Sequence, residues 1–315
     1  MKDNLLAIDQ GTSGTKAIVF DRNGRALAWA TAPLKTAYGQ SGTAEQVPED
    51  IYRSALDAVN ATVERLEETS VSRESIAAAG IANPRAAFVL WDSNGRPLHN
   101  AVVWQCKRSV GICEELKAAG AESEVRSRSG LIIDPYFSGT KLTWLLRNVP
   151  EIAAARDRGE ARFGTVDSWL LYRLTGGAVH ATDHTNASRT LLFNVHTLDW
   201  DQELIRLLEA DGLVLPDLRP SAAAYGTSDF EGLFPQPIPI SSLRGDSHSA
   251  FFGERCFATG SAKATLGTGC SILLNAGNDA PAARPSTMST VGFSLPGRVD
   301  YALEGIIVSA GAVLT

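Results

Sequence analysis

Residues 5–20 read LLAIDQGTSGTKAIVF, two apolar stretches around a run of glycine and hydroxyl residues, with one acid, Asp9, where the first stretch ends. Residues 4–9 and 17–20 fit two strands. Gly11-Thr12-Ser13-Gly14-Thr15-Lys16 fits the hairpin loop between them. A second turn signal, Asp21-Arg22-Asn23-Gly24, leads into a third strand at Arg25-Ala26-Leu27-Ala28-Trp29, which completes an antiparallel meander. Pro48-Glu49-Asp50 then suits the first turn of a helix, because proline needs no amide partner there and acids complement the free N–H groups. Ile51, Ala55, Ala58, Val59, Val63 and Leu66 give that helix one apolar face.

The same theme continues along the chain. Strands are expected over 77–81, 87–91 and 101–104, and helices at about 109–119, 139–148, 167–174 and 201–210, with Gly120, Pro150 and Gly176 as stops of the first three. A meander followed by alternating strands and helices points to an α/β fold with a mixed sheet. Residues 212–245, rich in Pro, Ser and Gly, read as connecting loops. From about Gly245 the opening pattern returns: strand Ala262–Leu266, a Gly267-Thr268-Gly269 turn, and strand Ser271–Leu274. This marks the start of a second lobe, giving domains 1–245 and 246–315.

Composition excludes several classes. A net charge of −6 argues against wrapping nucleic acid or lying on anionic lipid. No apolar run approaches the ~20 residues of a membrane span. The N-terminal MKDNLLAID is too short for a secretion signal, so a cytoplasmic location is expected. Cys106, Cys113, Cys256 and Cys270 have no CxxC spacing, which fits free thiols in a reducing compartment. The five histidines have no ligand spacing on a shared helix face; His180 and His184 follow a Gly-Gly pair and lie among threonines.

Two Gly/Thr hairpins in one chain suit a polyphosphate pinched between lobes, with backbone N–H groups and hydroxyls as donors. Asp9 at the first hairpin suits Mg²⁺ through water, and Lys16 adds positive charge. GTSGTK lacks the spacing of a P-loop, and two ordinary surface hairpins are the plain alternative. Asp246, in Arg244-Gly245-Asp246-Ser247-His248 at the lobe junction, is placed to take a proton from a substrate hydroxyl; an Asx-turn acid is the alternative there. Arg85, Trp104 and Tyr136 are candidates for a sugar or polyol site, since such ligands present C–H faces to rings and hydroxyls to Arg, although an aromatic at a strand end also suits a core.

Taken together, these residues resemble the FGGY carbohydrate kinase family, in its glycerol kinase-like branch. The carriers are Ile8-Asp9-Gln10-Gly11-Thr12-Ser13, Val103-Trp104-Gln105-Cys106, Asp134-Pro135-Tyr136-Phe137-Ser138, Gly164-Thr165-Val166-Asp167, Thr185-Asn186-Ala187-Ser188-Arg189-Thr190, Gly245-Asp246 and Gly267-Thr268-Gly269-Cys270, with YFSGTKLTWLLRN at 136–148 fitting a family signature throughout. The resemblance implies an actin-like, ribonuclease H-like lobe with a mixed five-stranded sheet and flanking helices, plus the start of a second similar lobe. It implies ATP and Mg²⁺ as cofactors and a polyol or sugar as partner. Asp246 would be the base, and Arg85, Trp104 and Tyr136 would line the polyol site. Thr12, Ser13, Lys16, Gly267 and Thr268 would hold phosphates, and Asp9 would serve Mg²⁺.

Three departures bear on substrate. Where the glycerol-phosphorylating branch has Glu, Gln and Phe, this chain has Ala86, Ser247 and Ser271, all smaller. A wider site and an acceptor larger than glycerol are expected. Family members are also longer, and the apolar stretch 303–314 is expected to open a second-lobe helix whose unpartnered surface would favour either association, as in a homo-oligomer, or disorder. Weak ATP affinity and little turnover follow as expectations for these 315 residues. The competing readings are a truncated or degenerate chain that binds a polyol or partner without catalysis, and an actin-like filament or chaperone ATPase, which would not call for the 136–148 signature.

Overall fold

The hairpin around Asp9 forms in the computed structural model, which describes residues 3–266, 270–282 and 287–307. Strand β1 (Asn4–Gln10) pairs antiparallel with β2 (Gly14–Phe20), Asp9 opposite Lys16, and Gly11 N donates to Gly14 O at 2.9 Å. β3 (Ala26–Pro33) closes the meander on β2. Gly14 is required by that closure, because a Cβ there would stand 2.6 Å from Ala32 O. Leu6 and Ile8 of β1 and Ala17 and Val19 of β2 point to one buried face. The helix Pro48–Glu68 covers it with Ile51, Ala55, Ala58, Val59, Val63 and Leu66, all buried, as their spacing requires.

The sheet extends on the other side of β1 through parallel pairings. β4 (Ile76–Asn83) lies beside β1, and β6 (Ile238–Gly245) lies beside β4, with the two-residue β5 (Thr227–Ser228) at the edge, in the order β5-β6-β4-β1-β2-β3. The expected mixed sheet thus carries a sixth, very short strand. β6 corrects the reading of 212–245 as loops. Ile238, Ile240 and Leu243 are buried in it, but Pro239 sits beside the edge strand and a register shift between Ile240 and Ser242 breaks the alternation. A second, five-stranded sheet is built from Ala37–Tyr38, Ala44–Gln46, Ala101–Val102, Phe88–Trp91 and Arg162–Thr165. The four expected helices appear as Val110–Ala118, Ser138–Asn148, Val166–Leu174 and Gln202–Leu207. The first two of these stop at Gly120 and Pro150 as expected, and further helices, Glu122–Ser129 and Pro150–Asp157, follow at once, the latter with proline at its first position.

The third layer is an antiparallel sheet of β7 (Ala262–Leu266), β8 (Cys270–Gly277), β9 (Met288–Leu295) and β10 (Arg298–Ile307), in the order β7-β8-β10-β9. Leu266 faces Cys270 across the second hairpin, whose turn residues 267–269 lie outside the described residues. The stretch from Leu303 is strand as far as Ile307, not the opening of a helix, and 308–314 lie outside the described residues. β10 is paired on both edges, by β8 and β9, and residues 301–306 are buried or half-buried on both faces, so the run shows no alternation. The layer rests on the first lobe through Ser188 Oγ to Thr290 Oγ1 at 2.8 Å and Tyr301 OH to Val195 O at 2.9 Å. Among the described residues no helix is long and apolar enough to cross a membrane. All four cysteines are free and buried.

Candidate active site

β6 ends at Gly245, and Asp246 opens the helix Asp246–Gly253. The turn is held from below. Gly245 N donates to Thr185 Oγ1 at 3.0 Å, and Thr185 Oγ1 donates to Asp183 Oδ1 at 2.9 Å. Asp183 is itself fully buried and also accepts from Ser221 Oγ at 2.6 Å and Asn186 N at 2.9 Å. Only glycine fits at 245, since a Cβ would meet Arg85 Cγ at 2.6 Å. The Asp246 side chain is 48% exposed. Its known contacts fall on Oδ1, which accepts from Ser247 N at 2.6 Å and lies 3.4 Å from Arg85 Nε.

Arg85 follows the end of β4 and is 4% exposed. Its Nη1 donates to Glu304 Oε1 at 2.6 Å, and Ser271 Oγ donates to the same oxygen at 3.2 Å. Glu304 comes from β10, is fully buried, and forms an ion pair through Oε2 with Arg189 Nη2 at 2.5 Å. Burial pushes the Glu304 carboxyl up, but Arg189 and Arg85 outweigh it and hold its pKa below the usual carboxylate range. The two arginines are driven in opposite directions. Burial disfavours charge on both, yet Glu304, Tyr136 and Asp246 together raise Arg85, whereas for Arg189 burial dominates and lowers it. Both remain guanidinium cations. Arg189 also lies over the Phe137 ring at 5.0 Å.

Tyr136 and Trp104 pack together, ring centroids 5.6 Å apart. Trp104 Nε1 donates to Thr12 Oγ1 at 3.3 Å, which ties the aromatic pair to the first hairpin. Gln46 Nε2 fixes the same hairpin by donating to Thr12 O at 2.8 Å. The Tyr136 carbonyl accepts from Lys141 Nζ at 2.7 Å, and burial lowers that lysine to about 7. Burial also raises the Tyr136 hydroxyl, with the charges of Arg85, Arg189, Glu304 and Asp246 all acting on it.

Asp9 stands on the face of β1 away from the long helix, beside a recess of about 240 Å³ shared with Ala7, Gly80, Ala82, Ser242 and Arg244. Neighbouring atoms desolvate its carboxyl and Asp246 repels it, which raises its pKa; Lys16 partly offsets this. Asp9 and Asp246 are therefore close enough to repel one another. Lys16 projects over the Trp29 ring at 5.0 Å, and Ser13 is exposed at the hairpin tip. Among the described residues no group of three or more His, Cys, Asp or Glu is placed to cage a metal.

The structure thus brings Arg85, Trp104, Tyr136, Asp246 and Thr12 together, with Ser271 joined through Glu304. Ser247 is half-buried next to them. Ala86 does not widen an opening: it is fully enclosed, at φ 60°, and its carbonyl accepts from Ser138 Oγ at 3.2 Å. A non-glycine residue in this left-handed region costs about 1–2 kcal/mol, strain placed next to the residue that faces Asp246. Gly267 and Thr268 lie outside the described residues. Sequence reading gave no role to Glu304, Arg189 or Asp183. For Glu304 the signal was present, a lone acid inside Tyr301-Ala302-Leu303-Glu304-Gly305-Ile306-Ile307.

Comparison with known proteins adds the lineage. The model of the FGGY family of carbohydrate kinases, N-terminal domain, matches residues 4–253. The chain belongs to the FGGY family of carbohydrate kinases. It is 44% identical over 314 residues to a glycerol kinase of Carboxydothermus hydrogenoformans, covering 99% of this chain and 62% of that protein. Among solved structures, a Plasmodium falciparum glycerol kinase with ADP superimposes with a TM-score of 0.94 at 30% identity, over 99% of this chain and 62% of that one. A xylulose kinase from Rhodospirillum rubrum shares the fold, TM-score 0.88 at 19% identity, over 99% and 62%. The FGGY chain described here therefore spans about three fifths of the length of these relatives, and its actin-like fold is that of the family.

Proposed function

We propose that these residues supply the acceptor site and the first phosphate hairpin of an ATP-dependent kinase acting on a hydroxyl of a polyol or sugar larger than glycerol. The single observation that carries this is the exposed Asp246 carboxylate, fixed at the head of a helix with Arg85 beside it and close enough to Asp9 to repel its charge. Oδ1 is engaged by Ser247 N and Arg85, which leaves Oδ2 for the acceptor hydroxyl. In transfer, Asp246 takes the hydroxyl proton as that oxygen bonds to the γ-phosphorus, and the bond from phosphorus to the β,γ-bridging oxygen breaks to release ADP. Base help of this kind is worth roughly 10²–10⁴ in rate.

Arg85 orients the acceptor and Trp104 and Tyr136 offer their faces to its C–H groups. Thr12, Ser13, Lys16, Gly267 and Thr268 are assigned to the phosphates. Asp9 fits Mg²⁺, because a carboxyl raised by burial and by a second acid gains from a nearby cation. The ion, when bound, neutralises phosphate charge. The lobe boundary is assigned between Gly245 and Asp246. The smaller Ser247 and Ser271 support the larger acceptor; Ala86, being enclosed, contributes by removing a carboxylate rather than by adding room.

A phosphorylation screen with Mg-ATP over glycerol, erythritol, xylitol and ribulose tests the reading. Preference for a four- or five-carbon acceptor, lost in Asp246→Asn, is expected; glycerol as the best substrate refutes the size assignment. We keep as a second reading that these 315 residues bind the acceptor with weak nucleotide affinity and little turnover. Calorimetric titration with Mg-ATP separates the two, since micromolar binding contradicts the second.

A further inference from the structure

We propose that Glu304 and Ser271 form the part of the acceptor site that reads the end of the substrate remote from the reacting hydroxyl, Glu304 as a positioning residue for Arg85 and Ser271 as the contact that favours a neutral polyol of more than three carbons. The inference rests on the kinase reading above and deepens it.

Arg85 lies between two carboxylates. Its Nε faces Asp246 at 3.4 Å, and its Nη1 donates to Glu304 at 2.6 Å. A guanidinium is planar and rigid, so two such contacts fix its orientation. Asp246 marks the reacting end of the site, and the Glu304 contact marks the other. Arg85 Nε is buried and makes no hydrogen bond, with Asp246 Oδ1 3.4 Å away as its charge partner. Ser271, half-buried, spends its proton on Glu304 Oε1 at 3.2 Å. Its lone pairs are then free to accept, so a substrate hydroxyl can complete a chain running from ligand to Ser271 to Glu304, with Arg85 donating from the far side. A phenylalanine at this position would offer no acceptor and would fill the space instead.

Glu304 cannot swing to another partner. Arg189 Nη2 forms an ion pair with Oε2 at 2.5 Å without hydrogen-bond geometry, and the Nε and Nη1 of Arg189 are likewise buried without a hydrogen-bond acceptor. The carboxylate is the counter-charge that keeps both arginines in place, and the Ser271 hydroxyl is aligned by it.

The test is calorimetric titration of glycerol, erythritol and xylitol into wild type, Ser271→Ala, Ser271→Phe and Glu304→Gln, with phosphorylation measured in parallel. Wild type is expected to bind erythritol or xylitol more tightly than glycerol. Ser271→Ala keeps the room but removes the acceptor, and should cost the longer polyols about tenfold in affinity, the value of one hydrogen bond, with glycerol affected less than twofold. Ser271→Phe should reverse the ranking toward glycerol. Glu304→Gln should weaken all three acceptors while leaving the Mg-ATP constant unchanged, a split that a general loss of structure does not produce. Should Glu304→Gln fail to fold, Ser271→Ala decides alone. Equal binding of the three polyols by wild type and Ser271→Ala, or glycerol as the tightest wild-type ligand, overturns the inference. Length-dependent binding without phosphorylation sustains it and removes the kinase reading; no binding of any polyol removes both.

Discussion

Lys141→Met should flatten the rise of stability with pH. Lys141 is fully buried, and its Nζ donates to the Tyr136 carbonyl at 2.7 Å. Burial lowers its pKa from 10.5 to about 7; Cys106, Asp134 and Cys113 oppose that shift and Arg108 adds to it. Between those two values the folded lysine is neutral while the unfolded one carries a proton. The unfolded state then binds more protons, so stability rises with pH through that window and the penalty is constant below it. A full proton difference is worth about 1.4 kcal/mol per pH unit, and starting from half-titration the gain from pH 7 to 9 is about 2 kcal/mol. Methionine keeps the length and does not titrate. It forfeits one hydrogen bond, about 1 kcal/mol at every pH. Urea unfolding at pH 7, 8 and 9 measures the difference between the two proteins. Burial raises Cys113 and Cys256 above 9.0, so both stay protonated over most of this range in the folded state. The gap between wild type and variant should widen by about 2 kcal/mol in favour of wild type. Parallel curves across the three pH values would refute the assignment.

Gly245→Ala sets a Cβ 2.6 Å from Arg85 Cγ, and Arg85 is pinned by Glu304, so overpacking of about 1–3 kcal/mol is expected; an unchanged urea midpoint contradicts it. Arg189→Met leaves Glu304 with one cation and should destabilise by about 3–5 kcal/mol, read from the same unfolding curves, with a loss below 1 kcal/mol counting against a buried ion pair at this site. Asp246→Asn should lower phosphoryl transfer by about 10²–10⁴ with the unfolding midpoint retained, since the side chain is half exposed; a variant within a few-fold of wild type would exclude the base role.

The opening meander was legible because its turn residues and its apolar alternation agree, and the helix Pro48–Glu68 because spacing and cap agree. β6 was missed where Pro239 and a register shift erased the alternation. β10 was misread because a strand covered on both faces loses the alternation that marks a strand. In the site, Arg85, Trp104, Tyr136 and Asp246 were recognisable by residue type and motif and do converge. Glu304 lies 219 residues from Arg85, and no local pattern announces a partner at that separation. Ala86 was read as lining the opening, but its left-handed backbone turns the methyl inward, which residue type alone does not reveal.

The distance between Arg85 and Glu304 along the chain also sets a schedule. At roughly 5–20 residues per second, a ribosome emits Arg85 about 10–40 s before the acid that neutralises it. During that interval the nascent first lobe carries two cationic side chains whose interior berth is not yet ready. They must stay hydrated until β10 arrives, so the acceptor site is completed well after the meander that frames it.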